Sequence, residues 1–548
     1  MRKIIGKVSL SISGLLAVMC LASTVAASNI VIRGIVTDNS GKPIRGAIVK
    51  ASAGILTVSR YSQNDGRYEI SVPAGNYDVT VEAFGYADKR HSAQSGKTNF
   101  QLTPRIDVGL LTSAEMDSLL PDNKDTKLLR SACTECHNLD TNLRRRGMTS
   151  EQWQNFIPNM TQDRMFQPEF SAKQLAALGP MLEKYFGPDA TYFGPDADPP
   201  KLQDIKHAPI SDEALKATVR EYKVPTVGAW THSITVDPVR DIAWFSEYDY
   251  QSNKIGRFDI TSEKFEEYPV PTPRSIPHTP IVGRDGRLWM PLAKGGPVKL
   301  VSVDPATGQL KQYSWPEEKA GMHTIAVAPD GNLFLSSMSS PDEFFSFNVK
   351  SEQFKAYKHK LPATYPDVSA GAYEQIDAKP TGITYDVAVD SKGDAWFTET
   401  MLGTIARLDP QTGKVSEYKP PDTPNMDGIM VDAQDNVWFS NFMGNKLGKL
   451  DVKSGKFTMY QPPTMKAKPY GIILDKKTGY IWFADYGGNN ITRFDPKTKQ
   501  FVEYPIPTRG ADPRFVGLDS KGRLWFSEWW NSKIGVIDPE GNKQLASK

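Results

Sequence analysis

The chain has 548 residues, with 65 Lys+Arg against 63 Asp+Glu, a formal net charge of +2 and 39% hydrophobic residues. That balance excludes a nucleic-acid partner read through a basic stripe, and the length asks for several domains.

Met1-Arg2-Lys3 opens a basic segment, Val8 through Cys20 is apolar, and Val25-Ala26-Ala27 supplies small residues for cleavage before Ser28. This is the pattern of an export leader over residues 1–27. Met19 ahead of Cys20 does not suit a lipoprotein signal, so a soluble product is expected. Removing Arg2, Lys3 and Lys7 leaves 62 basic against 63 acidic residues. No other apolar run approaches the roughly 20 residues of a membrane helix, so no membrane span is expected.

Residues 28–104 read as a small β-sandwich. Ile30–Val36 and Ala47–Ala51 are strand-like runs, and Asp38-Asn39-Ser40-Gly41-Lys42-Pro43 is a turn. Asn64-Asp65-Gly66-Arg67-Tyr68 and Pro73-Ala74-Gly75-Asn76-Tyr77 mark hairpins, and Phe84-Gly85-Tyr86 closes the pattern. These signals resemble the carboxypeptidase regulatory-like domain, which implies an adhesion or spacer role and no chemistry. His91 is expected at the surface.

Residues 110–190 carry apolar residues at helical intervals in Ala114–Leu120, Leu128–Cys136, Glu151–Met160 and Ala172–Tyr185. Thr149-Ser150-Glu151-Gln152 offers polar caps ahead of Trp153. Within this segment Cys133-Thr134-Glu135-Cys136-His137 is the attachment signature of haem c: each thiol adds to a porphyrin vinyl group and the histidine ligates the iron. With Cys20 in the leader, the mature chain keeps only these two of its three cysteines. A redox dithiol or half of a zinc site is the competing reading, but no second closely spaced ligand pair is evident.

A short helical domain around this motif resembles class I cytochrome c, which implies a methionine or histidine as the second axial ligand. Met160, seven residues after Trp153, is the choice; Met148, Met165 and Met181 are the alternatives. Arg144, Arg145 and Arg146 either pair with haem propionates or form a solvated basic turn. Export together with covalent haem points to the periplasm, with a periplasmic cytochrome as an expected electron acceptor. Phe186-Gly187-Pro188-Asp189-Ala190 nearly repeats as Phe193-Gly194-Pro195-Asp196-Ala197, so 191–217 reads as a linker.

From residue 218 to 548 the chain repeats. Trp244-Phe245, Trp289-Met290, Phe334-Leu335, Trp396-Phe397, Trp438-Phe439, Trp482-Phe483 and Trp525-Phe526 are spaced by 45, 45, 62, 42, 44 and 43 residues, with an insertion near 361–377. Each pair follows an apolar strand ending in Asp-x-x-Gly and precedes a strand like Lys254–Asp259; Gly-Lys-x-x-x-x-Tyr then leads to proline. Four strands per unit and seven units predict a seven-bladed β-propeller. The fold class expected is therefore multidomain and mainly β: a small β-sandwich, a helical cytochrome c-like domain and a seven-bladed propeller.

The residue before the first strand of each unit and the residue after Trp-Phe should share one rim of the channel. The first set is His232, His278, His323, Tyr385, Asp427, Tyr470 and Arg514; the second is Glu247, Pro291, Ser337, Glu399, Asn441, Asp485 and Glu528. Three of the chain's seven histidines thus occupy equivalent sites on consecutive units. His232, His278 and His323, with Glu247 and Glu399, are the candidate catalytic residues. The histidines are also candidate ligands for copper, iron, zinc or magnesium, and a polar, water-filled funnel is the alternative. His207 and His359 receive no role.

Trp244-Phe245-Ser246-Glu247, Trp396-Phe397-Thr398-Glu399, Lys468-Pro469-Tyr470-Gly471-Ile472 and Trp525-Phe526-Ser527-Glu528 resemble the virginiamycin B lyase (streptogramin lyase) family. The resemblance implies the propeller fold and a metal-assisted elimination with a histidine base preceded, two residues earlier, by glutamate. Here Trp230, Ile276 and Gly321 stand two before His232, His278 and His323, which argues against that activity. The G-x-x-x-W signature of quinone-dependent propeller dehydrogenases is missing. The expected function is an exported haem c oxidoreductase, oxidising an unidentified small molecule at the funnel and passing electrons to the haem. A redox relay module and a lyase-like enzyme are the alternatives.

Overall fold

The computed structural model describes residues 29–541 apart from 94–95, 135–137, 144, 162–171, 192, 250, 295, 316–320, 338–342, 361–383, 401 and 422–425. The leader and the insertion near 361–377 lie outside the described residues. No described helix is long and apolar enough to cross a membrane.

The repeats form seven four-stranded antiparallel blades. Blade 1 runs Thr231–Asp237, Ile242–Glu247, Lys254–Asp259, Lys264–Pro269 from channel to periphery, and blades 2 to 6 follow in chain order. Blade 7 takes Val516–Leu518, Leu524–Glu528 and Lys533–Asp538 from the chain's end and its outer strand, Thr218–Lys223, from the propeller's beginning. The inner strands of blades 7 and 1 pack together, so the ring is closed.

The repeated words have packing reasons. Asp390 of Asp-x-x-Gly accepts the backbone N–H groups of Lys392 and Asp394 and the indole N–H of Trp396, at 3.0 Å in each case. Gly393 closes that turn at φ +91°, a conformation that favours glycine. Asp432 and Asp519 hold Trp438 and Trp525 in the same way, at 2.9 and 3.0 Å. Across the ladder Phe245 pairs with Gly256, and a Cβ there would lie 2.0 Å from the ring. Gly448 and Gly535 make the same room for Phe439 and Phe526. Cores form between blades: Tyr222 and Trp525 of blade 7 pack with Phe245 and Phe258 of blade 1. Burying such side chains stabilises by about 1.5–3 kcal/mol each.

The N-terminal sandwich forms as expected, around Ile32, Val49, Val58, Ile70 and Val79, and His91 is exposed on its last long strand. It is no free spacer, however. Its strand Leu56–Tyr61 pairs with Thr218–Lys223 in the register Leu56↔Tyr222 to Arg60↔Thr218, so sandwich and blade 7 share one eight-stranded sheet.

Between them the described residues form five α-helices: α1 (Ser113–Leu119), α2 (Lys124–Cys133), α3 (Leu139–Leu143), α4 (Ser150–Thr161) and α5 (Ala172–Phe186). Thr112–Glu115 forms a capping box before α1, and the Thr149–Gln152 pair caps α4 with bonds of 2.8 and 3.4 Å. Trp153, Ile157, Leu178, Leu182 and Phe186 pack into their core. The stretch expected as a linker is packed rather than free, because Phe193, Ala214, Leu215 and Ala217 are buried. His207 joins two domains: its Nδ1 lies 2.5 Å from Glu115 of α1, and its ring stacks on Phe84 of the sandwich with centroids 3.9 Å apart.

Candidate functional site at the channel rim

A repeated irregularity aims the rim residues inward. The first ladder of blade 1 jumps from Thr231↔Glu247 to Ile234↔Phe245, and His232 sits in the break. The same jump releases His323, Tyr385, Asp427 and Tyr470 on blades 3 to 6. A bulge of this kind re-aims a side chain that regular pairing would turn elsewhere.

The three histidines come together as the repeat predicts. Ring centroids are 4.5 Å apart for His232–His278 and 3.9 Å for His278–His323. Their Nδ1 atoms are engaged: His232 with Ser233 Oγ at 2.8 Å, His278 with Thr279 Oγ1 at 2.8 Å, and His323 with the Tyr385 carbonyl at 2.6 Å. His278 Nε2 makes no well-formed hydrogen bond, although the His323 backbone favours its protonated form. Burial first, and then nearby positive charge including Arg514, pushes all three rings well below the usual imidazole pKa. They are neutral bases at physiological pH.

The other arc of the rim consists of donors. Arg514 Nη1 donates to Tyr470 Oη at 2.5 Å and Nη2 to Tyr486 Oη at 3.3 Å. Its guanidinium lies 3.7 Å from the Trp529 ring centroid. Tyr385 and Tyr470 share a hydrogen bond between their hydroxyls. Phe515 touches both arcs, with centroids 5.7 Å from His232 and 5.6 Å from Tyr470. The residues are deeply buried: His232, His278, His323 and Arg514 are 3%, 0%, 1% and 4% exposed.

The histidines do not make a preformed metal centre. Among the described residues the one group of three candidate ligands with atoms within 4.8 Å of one another is His359, Glu399 and Glu417. The rim rings are tilted to one another by 56° and 47°, each Nδ1 is engaged by a neighbouring group, and the three do not bring ligand nitrogens within 4.8 Å of one another.

Glu247 and Glu399 do not join the histidines either. Strand alternation sends Glu247 to the side of Phe245, toward strands three and four of its own blade. Burial and then the Glu267 carboxylate push Glu247 up to about 8. Glu267 is held by Lys254 Nζ at 2.7 Å and by Thr226. The same carboxylate pair recurs by register. Glu247 pairs with Lys254 while Glu267 pairs with Gly256, and Glu528, Lys533, Glu221 and Gly535 repeat this on blade 7. Asp485–Glu503 is the pair on blade 6 and Glu399–Glu417 the pair on blade 4. A sequence signal exists for these pairs. In the outer strands of the blades Glu-Tyr occurs at 221, 267, 417 and 503, on just those units whose Trp-Phe is followed two residues later by an acid.

The helical region leans on the donor arc. Thr134 O accepts from Lys468 Nζ at 3.0 Å, and Asn138 Nδ2 donates to Tyr486 O at 2.8 Å and to Asp512 Oδ1 at 2.5 Å. Ala114 N donates to Gly487 O at 2.9 Å, and Lys466 pairs with Asp117 at 2.9 Å. Residues on both sides of Glu135-Cys136-His137 are therefore fixed to blades 6 and 7. Cys136 and His137 lie outside the described residues, as does the side chain of Met160, whose backbone lies in the last turn of α4. Cys133 is half-buried at the end of α2 and, like Leu128, Leu143, Met148 and Phe156, packs partly exposed against the helical core. Apolar side chains left partly exposed on this core are of the chemistry that a flat apolar group would cover. Arg145 lies over the Phe156 ring, 4.4 Å from its centroid.

The acid-x-base spacing of the streptogramin lyases does occur once on the rim, as Asp512-Pro513-Arg514, but with an arginine in place of the base.

Residues 359–546 match the virginiamycin B lyase family model and residues 31–105 the carboxypeptidase regulatory-like domain. No curated protein matches the chain. Among solved structures, selenomethionine-substituted virginiamycin B lyase from Staphylococcus aureus has TM-score 0.50 at 24% identity, over 59% of this chain and 99% of that one. A streptogramin B lyase structure has TM-score 0.51 at 24% identity, over 60% and 99%. Such identity carries the fold and not the activity, and these likenesses leave the helical region unassigned to any cytochrome. The chain thus holds a virginiamycin B lyase family domain and a carboxypeptidase regulatory-like domain, within a mainly β architecture.

Proposed function

We propose that the chain is a lyase-like enzyme that opens a small cyclic ester in the propeller funnel by elimination: a C–H proton passes to a base, its electron pair forms a C=C bond, and the neighbouring C–O bond breaks to release the carboxylate. The supporting observation is the facing of two arcs: neutral imidazoles on blades 1 to 3 opposite a guanidinium and two tyrosine hydroxyls. His278, between its two neighbours, is the base, because a neutral buried imidazole accepts a proton without first losing one. Arg514, steadied by Tyr470 and Tyr486, holds the oxygen on which negative charge grows. Arg514 cannot itself be the base, since guanidinium keeps its proton.

The haem c oxidoreductase is the second reading, and the hydrogen bonds of Thr134 and Asn138 to the rim favour it. Cys133, Cys136, His137 and Met160 are the residues that would hold the haem. When bound, the haem supplies one-electron acceptance beside the funnel. Export to the periplasm and a periplasmic cytochrome as acceptor belong to this reading.

One experiment separates the two. Full-length protein made in a host that matures c-type cytochromes is given a panel of lactones and cyclic esters, while the new C=C absorbance of chromatographically separated product and the haem absorbance are followed together. Ring opening without a haem change, lost about 10²–10⁴-fold in His278→Gln, is the lyase-like outcome. Haem reduction in step with substrate loss is the oxidoreductase outcome. Turnover that survives replacement of all three histidines by glutamine removes the funnel from both.

A further inference from the structure

We infer that blade 4 carries a binding site for a zinc-class divalent cation, formed by His359, Glu399 and Glu417 and separate from the funnel. His359 Nε2 lies 3.1 Å from Glu399 Oε1 and 3.0 Å from Glu417 Oε1. Neither approach has the geometry of a hydrogen bond, and the His359 side chain is 6% exposed. The second oxygen of Glu399 takes the Thr404 hydroxyl at 2.7 Å, leaving Oε1 for the shared point. Glu417 is half-exposed and borders a cavity of about 370 Å³, also lined by His359, Val415, Lys358 and Lys360. Lys358 is itself paired with Glu343.

Comparison with the other carboxylate pairs shows what blade 4 lacks. On blade 1 the pair is neutralised by Lys254 and capped by Thr226; on blade 7 Lys533 and Thr508 stand in the same places. Blade 6 has Asn490 in the lysine position and keeps the Thr464 cap, and its carboxyls, buried side by side, are pushed up. Blade 4 has Thr404 where blades 1 and 7 have lysine. The lysine of blades 1 and 7 is thus replaced by a neutral hydroxyl, and an imidazole nitrogen lies against both carboxylates instead.

One imidazole and two carboxylates, with a side open to water, is the ligand set of zinc and its first-row neighbours rather than of calcium or magnesium. The cation would join the end of blade 3's outer strand, at His359, to strands two and four of blade 4.

The test uses the full chain stripped with a chelator and titrated with zinc alone, followed by metal content and calorimetry. Wild type should take up one equivalent more than His359→Gln, whose affinity at this site should fall by more than the roughly 10–100-fold that losing a ligand's outer hydrogen-bond partner costs. Thr404→Lys restores the lysine of blades 1 and 7 and should lose the same equivalent with its circular dichroism unchanged. Equal zinc content in wild type and in either variant overturns the site. Rim-histidine substitutions serve as the control and should leave this equivalent in place.

Discussion

Two arcs of one rim occupy the same repeat position and do opposite chemistry. On blades 1 to 3 the position holds imidazoles stripped of their charge by burial; on blades 4, 6 and 7 it holds two phenols and a guanidinium. Repeat geometry sets where a side chain points, and the local company sets whether it accepts or donates a proton. Arg514 links the two, because its charge helps keep the three imidazoles neutral.

The contrast breaks most severely if that charge is removed. Arg514→Met leaves Tyr470, Tyr486 and the buried Asp512 without their cation and should cost about 3–5 kcal/mol in urea unfolding. Arg514→Lys keeps a charge but not the fork and should cost less. An unchanged midpoint for the methionine variant would mean that the arcs are not coupled.

Next in size is the pH dependence, which has two limbs. The unfolded chain protonates its histidines near pH 6.5 while the folded rim resists. Stability is therefore full above that pH and falls below it, by about 1.4 kcal/mol per pH unit for each histidine until the folded site protonates. Glu247 acts in the reverse sense, because its folded pKa of about 8 lies above the ordinary 4.5. Its contribution is full below pH 4.5 and is lost as pH rises to about 8. Glu247→Gln should flatten the alkaline limb and leave the acid limb intact in unfolding midpoints taken from pH 4 to 9. An acid limb that persists in the triple histidine-to-glutamine variant would assign it elsewhere.

The smallest effect tests the donor arc alone. Tyr385→Phe removes one hydroxyl shared with Tyr470 and should cost about 1 kcal/mol without moving either pH limb. A shift of the acid limb would place Tyr385 in the histidine arc instead.

The blades were legible in sequence because each repeated word does a local job: Asp390 holds Trp396, and Gly256 makes room for Phe245. The histidine arc was legible because a shared repeat position becomes a shared place in the ring. Glu247 and Glu399 were misplaced because a residue can sit at the rim in register while strand alternation turns its side chain away. The Glu-Tyr dipeptides were readable in advance, since the inner acid and the outer glutamate appear and disappear together from unit to unit. The joining of sandwich to propeller left no local trace. Leu56 and Tyr222 are ordinary strand residues, and nothing near either one encodes the other as a partner.

That joining has a consequence for solubility. The outermost strand of a blade is an edge, and bare edges recruit strands from other molecules. Thr218–Lys223 has no such edge, being bonded to Lys533–Asp538 on one side and to Leu56–Tyr61 on the other. Cutting the sandwich away would turn a shielded strand into a template for self-association, so the small N-terminal domain guards the blade that closes the ring.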